Sequence, residues 1–151
     1  MATTTITEVV PSVSSGTPST FGAIHLPRLW LKLTLGAAGL LPADYDLCGP
    51  GFDQMTLKSL NLDRQKTIDY VAQQKPTYMQ FEQWVIEQNG GKIDPETVRK
   101  HNEAVRGYNH ADDLASKMRT SSGIKDATIK DAVTLNTLED LDEIYHKVTG
   151  K

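Results

Sequence analysis

The sequence predicts an all-α domain, a compact bundle of about six or seven short helices behind a disordered, flexible N-terminal tail. Three observations lead there. Apolar residues recur at helical spacing in successive blocks from Leu26 to Val148. Glycine, proline and capping residues separate the blocks. Strand-like alternation is too scarce to build a sheet.

The elements follow in order. Half of the first twenty residues are Ser or Thr, and Pro11, Gly16 and Pro18 interrupt them. Such a stretch buries too little apolar surface to offset its ordering entropy. Residues 1–20 are therefore expected as a Ser/Thr-rich flexible tail, free or partly laid on the domain, and residues 21–151 as a single helical domain. Pro27 suits a first helical position, where its missing N–H costs nothing. Leu26, Leu29, Trp30, Leu33 and Ala37 then share one face, and Leu31 and Leu35 add apolar surface on another. A helix apolar nearly all round belongs in the interior. Gly36 and Gly39 mark its end. Pro42 to Pro50 reads as loop. A second helix carries Phe52, Met55, Thr56 and Leu60, and Asp63 caps a third with Ile68, Tyr70 and Val71. Thr77 with Gln80 forms a capping-box pattern ahead of a fourth helix, with Phe81, Trp84, Val85 and Gln88 on one stripe.

Asp94-Pro95 opens a fifth helix, which sets Val98, His101, Val105 and Tyr108 on a face. Asn109 is expected to cap a sixth with Ala111, Leu114, Ala115 and Met118. Val133 and Leu135 alternate, so Ala132–Leu135 reads as a short extended piece. Thr137 and Asp140 then open the last helix, with Leu138, Leu141, Ile144, Tyr145 and Val148 expected inside. In the acidic run Glu139, Asp140, Asp142, Glu143, helical spacing puts Glu139, Asp142 and Glu143 with His146 on the outer face, so the run reads as solvated surface rather than as a metal site.

Composition narrows the function classes. The chain has 151 residues, enough for one domain with its own core, since roughly two-thirds of the unfolded surface is buried at this size. Its formal charge is -3, with no clustered basic excess. That argues against nucleic acid and against anionic membrane surfaces as partners. The most apolar run, Leu29 to Leu41, holds 13 residues and includes Lys32, whereas a spanning helix needs about 20. The first twenty residues contain no Lys or Arg, unlike a secretory or transit leader. The single cysteine, Cys48, rules out an internal disulfide and reads as a small buried hydrophobe rather than a nucleophile. A cytoplasmic location is expected. No cofactor and no metal are expected. A homo-oligomer is compatible with the sequence.

The chemistry-bearing residues centre on Arg28 and Lys32. They stand four apart on the apolar first helix and so share one stripe. A cation in such a setting must be paired. Asp53 and Glu82, embedded in Phe52-Asp53 and Phe81-Glu82-Gln83-Trp84, are the candidate partners. One reading is a structural ion-pair network. The other is a pocket for a small carboxylate or phosphate, built from Arg28, Lys32, Tyr45, Asp53, Glu82 and Trp84. Arg would supply the anion fork, and Tyr45 and Trp84 the walls. Within that pocket the candidate catalytic groups are His25 or His101 as general base, and Lys32 as an activated amine. His101, between Val98 and Val105 on an apolar face, reads equally as a hydrogen-bonded core residue. His110, followed by Asp112 and Asp113, reads as part of a helix start, and His146 as a last-turn cation. The alternative to any pocket is a non-enzymatic accessory or interaction module working through a helical surface.

One family resemblance covers roughly residues 12–149. It is carried by Leu26-Pro27-Arg28, Asp44-Tyr45, Gly51-Phe52-Asp53, Phe81-Glu82 with Trp84-Val85, and Val133-Thr134-Leu135-Asn136 with Leu138, Asp140 and Leu141. In order and spacing these resemble a bacterial family of domains of unknown function, DUF 5069. The resemblance implies a small, cytoplasmic, bacterial helical domain and no particular reaction. Residues 1–11 lie outside it.

Overall fold

The computed structural model describes residues 5–151. Among them are seven α-helices: α1 Leu26–Ala37, α2 Phe52–Ser59, α3 Arg64–Gln74, α4 Tyr78–Gln88, α5 Pro95–Arg106, α6 Asp112–Ser121 and α7 Ala132–Thr149. Strand pairing among the described residues is limited to two isolated bridges, Pro18 with Ile24 and Asn109 with Asp131. The all-α expectation holds. No helix among the described residues is long and apolar enough to cross a membrane.

Local chemistry sets most of the boundaries. Pro27 sits in the first turn of α1. The Asp63 carboxylate accepts from the Lys66 amide at 2.8 Å and caps α3. Thr77 and Gln80 form the reciprocal capping box of α4. Asp94 caps α5 ahead of Pro95. Each device satisfies amides that the first helical turn leaves without partners.

α1 runs through the interior, packed against α3 and α4, while α2 packs on α5 and α7 on α5 and α6. Leu26, Leu29 and Leu33 of α1 meet Leu57, Leu60, Val71, Phe81, Val85 and Val98 in the main core. Ile24, Phe52, Val105 and Ala132 form a smaller second core. Gly36 admits the 42–50 loop against α1: a Cβ there would lie 2.2 Å from the Leu47 Cδ1 atom.

Four expectations are corrected. Residues 1–4 lie outside the described residues, but from Val9 onward the expected flexible tail is packed on the domain. Val10, Pro11, Ser15 and Ser19 are buried. The Val9 amide donates to the Leu40 carbonyl at 2.8 Å, and Ser14 bonds Thr137 at 3.0 Å. Composition counted the segment's missing apolar area. It did not count the polar groups of the interior, which need the segment's hydroxyls and carbonyls as partners.

Ala132–Leu135 is helical, not extended. Asp131 is the N-cap, its side chain accepting from the Thr134 amide at 2.8 Å, so α7 starts well before Thr137. α7 also presents a different face from the expected one. Ala132, Leu135 and Asp140 point inward, while Leu141 is 57 % and Val148 78 % exposed. Asp140, which stands off the outer face of 139, 142, 143 and 146, is buried. Finally, Asn109 does not cap α6. Its N-cap is Ala111, with no side-chain bond, and Tyr108 lies beyond the end of α5.

Candidate functional site

Arg28 and Lys32 are both buried, one turn apart on α1, as their spacing demands. Their partners are only half those expected. Lys32 Nζ donates to the Asp53 carboxylate at 2.5 Å. Arg28 pairs not with Glu82 but with Asp140 of α7, through Nη1 at 2.6 Å and Nη2 at 3.2 Å. Its Nη1 also donates to the carbonyls of Pro11 and of Val13, the latter at 3.0 Å. A guanidinium offers five donors in a fixed fork, and this one is served by a carboxylate on one side and the N-terminal segment on the other.

Asp53 is the junction. It sits in the first turn of α2, where the helix dipole favours negative charge. Besides Lys32 it accepts from the Gly49 amide at 2.9 Å and meets His25 Nε2 at 2.7 Å. A carboxylate only accepts, so His25 carries its proton on Nε2. Its Nδ1 is hydrogen-bonded to the Ser15 hydroxyl, 3.0 Å away. Burial pushes the Asp53 carboxyl up, but the His25 hydrogen bond and the Lys32 charge reverse this and hold it at about 2. Burial pushes His25 down from its ordinary value, against the pull of Asp53. The backbone of His25 is left-handed, with φ of 70°, a conformation of order 1–3 kcal/mol above the usual minima for a residue with a Cβ. The surrounding bonds hold it there.

This network forms the floor of a cavity of about 360 Å³, lined from α1 and its approach by His25, Arg28 and Lys32 and from the 46–53 segment by Asp46, Pro50, Phe52 and Asp53. Tyr108, His110 and Leu114 close it from the far side, with Ala132 and Asn136 of α7. His110 bonds Asn136 at 2.9 Å. Gly51, the N-cap of α2, provides no side chain to cap the helix, so the α2 first turn faces the cavity without one.

The chain matches no family model, no curated protein and no solved structure.

Of the residues proposed from sequence, the fold brings His25, Arg28, Lys32 and Asp53 to one cavity. Tyr45 stands behind it rather than forming a wall. Its hydroxyl donates to Asp140 at 2.9 Å, and burial together with that bond pushes its pKa up. Glu82 is buried elsewhere on α4, where its carboxylate accepts from the Thr20 amide at 2.8 Å and from the Thr20 and Tyr78 hydroxyls. Three neutral donors thus replace the cation it was expected to meet. Trp84 stacks on Tyr70 at 4.3 Å and lines a separate groove.

His101 is a core residue away from the cavity. Its Nε2–H donates to the Ile24 carbonyl at 2.9 Å, and its Nδ1 stands 3.1 Å from the Ser59 hydroxyl. That carbonyl cannot donate, so Nε2 carries the proton, and both ring nitrogens are engaged away from the cavity. Cys48 is buried, and burial pushes its thiol up, away from the thiolate a nucleophile needs.

Asp140, Ser15, Tyr108, His110 and Asn136 are the residues that sequence reasoning did not assign to the site. Asp140 alone carried a signal: it is the one acid of its run that stands off the outer face formed by 139, 142, 143 and 146. Among the described residues, no three His, Cys, Asp or Glu side chains group as a metal site.

Proposed function

We propose that this domain binds a small anionic molecule, a carboxylate or phosphate, in the cavity above the Arg28, Lys32, His25 and Asp53 network. The observation that carries the reading is convergence. Lys32, Arg28 and the first turn of α2, which has no side-chain cap, line the same cavity. A helix N-terminus and a cation on one wall form an anion-binding combination. Lys32 has three N–H donors and spends one, on Asp53. The internal pairs Lys32–Asp53 and Arg28–Asp140 preorganise the floor, so a ligand meets donors already in place.

Binding is the better-supported half of this proposal. His25 is the only proposed base that lines the cavity, and both its ring nitrogens are engaged. Lys32 stands as one half of an ion pair rather than as an isolated amine. The cytoplasmic location, the bacterial origin and the kinship with the DUF 5069 family belong to the same proposal.

A thermal-shift series tests it, since a ligand that binds only the folded form raises the melting temperature. Acetate or inorganic phosphate should raise it for the wild type and not for a folded Lys32→Met variant. Equal shifts in both proteins, or none in either, reject the pocket.

The alternative is an interaction module, and one observation favours it. Leu141, Tyr145 and Val148 form an exposed apolar stripe along α7. Concentration-dependent sedimentation that vanishes in Leu141→Glu would support that reading; a monomer at all concentrations speaks against self-association through this stripe.

A further inference from the structure

The cavity's upper wall narrows the ligand class, an inference that rests on the pocket reading above. Four rings that line it stand in an edge-to-face row. His25 meets Phe52 with centroids 5.5 Å apart, Phe52 meets Tyr108 at 5.6 Å, and Tyr108 meets His110 at 6.2 Å. Edge-to-face packing leaves ring faces and edges that attract a further ring. Two large apolar side chains at this wall, Tyr108 and Leu114, are each 46 % exposed although both line the cavity. Both therefore offer apolar surface to a ligand body resting between them.

Charge sets the other end. The lining residues include two cations, Arg28 and Lys32, and two carboxylates, Asp46 and Asp53. Arg28 is further balanced by Asp140 behind it. With Asp140 counted, the two cations face three carboxylates, a net charge of -1, so a dianion is opposed more strongly than a monoanion. A monoanion can be held by the remaining Lys32 donors and the α2 first turn.

We propose that the preferred ligand is a single-ring aromatic monocarboxylate, its carboxylate on the Lys32 and α2 floor and its ring against Phe52, Tyr108 and Leu114.

Calorimetric titration of the full chain with benzoate, acetate, benzyl alcohol and inorganic phosphate tests this. Benzoate should bind about tenfold tighter than acetate or phosphate, the gain expected from ring contacts plus buried area. Benzyl alcohol should bind weakly. Tyr108→Ala, at an exposed position, should weaken benzoate several-fold more than acetate, and Leu114→Ala should act in the same direction. Acetate or phosphate binding as tightly as benzoate overturns the aromatic class while the anion pocket stands. Benzyl alcohol matching benzoate overturns the carboxylate requirement. Silence from all four probes removes both proposals.

Discussion

Replacing Arg28 by alanine is the most informative single change. The guanidinium is buried and serves Asp140 through two bonds, and the Pro11 and Val13 carbonyls through two more. Removing it leaves the Asp140 carboxylate buried with the Tyr45 hydroxyl as its remaining hydrogen-bond partner. Breaking one side of a buried pair costs about 3–5 kcal/mol, most of it from the charge left behind. For a chain of this size that corresponds to a fall of roughly 6–20 °C in Tm. Chemical denaturation of Arg28→Ala measures the loss directly. The double variant Arg28→Ala, Asp140→Ala should recover part of it, because no uncompensated charge remains. The N-terminal segment adds a second readout. Without the donor to Pro11 and Val13, the amides of residues 9–16 should exchange with solvent faster. A loss below about 1 kcal/mol, or strictly additive single and double variants, refutes the buried-pair reasoning.

Other perturbations extend the test. Glu82→Gln keeps the shape but turns one accepting oxygen into a donor facing Thr20 or Tyr78, so it should cost about 1–3 kcal/mol; an unchanged thermal midpoint contradicts the role given to that carboxylate. Stability should fall with acidity, because His25 and Asp53 both hold their protons less tightly folded than unfolded. The His25 contribution begins to fade as pH drops below its ordinary 6.5, and that of Asp53 between its ordinary 3.8 and the folded value of about 2. Asp53 alone accounts for about 2 kcal/mol, and Asp53→Asn should flatten the lower limb. Urea midpoints across that range check the slope; equal or greater stability at low pH is the wrong sign. Val148→Lys on the exposed side of α7 should change stability by less than about 0.5 kcal/mol, whereas Leu135→Ala should cost about 2–5 kcal/mol. The reverse ranking of these two would mean that α7 is rotated.

The features legible in the sequence are those whose cause is local. Pro27, Asp63, Thr77 with Gln80 and Asp94 with Pro95 each act within one helical turn, so reading along the chain finds them. The burial of Arg28 and Lys32 was legible for the same reason, because the apolar residues around them share their helix. Partner identity was legible for Asp53 and not for Asp140. Asp140 lies 112 residues from Arg28, and its choice over Glu82 depends on how α7 docks. The α7 stripe misled because apolar periodicity reports where grease lies, not which side the tertiary fold buries. On α7 the inward side is set by small Ala132, by Leu135 and by a carboxylate with a cation to meet. The N-terminal segment misled for a related reason. Its value to the fold is polar, Ser15 for His25 and two carbonyls for Arg28, and composition counts such groups as solvent-seeking. The cavity wall from Tyr108 to Leu114 was beyond sequence reach because it comes from the α5–α6 turn, whose approach to α2 no local pattern encodes.

Amide chemical-shift mapping of the full chain during titration with a small carboxylate puts the central claim to the most direct test. The pocket account predicts saturable shifts concentrated at Gly49, Gly51, Phe52, Asp53, Tyr108 and His110, with the Tyr70 and Trp84 groove silent. Shifts that never saturate, or that gather around Tyr70 and Trp84 while the α2 first turn stays still, contradict it.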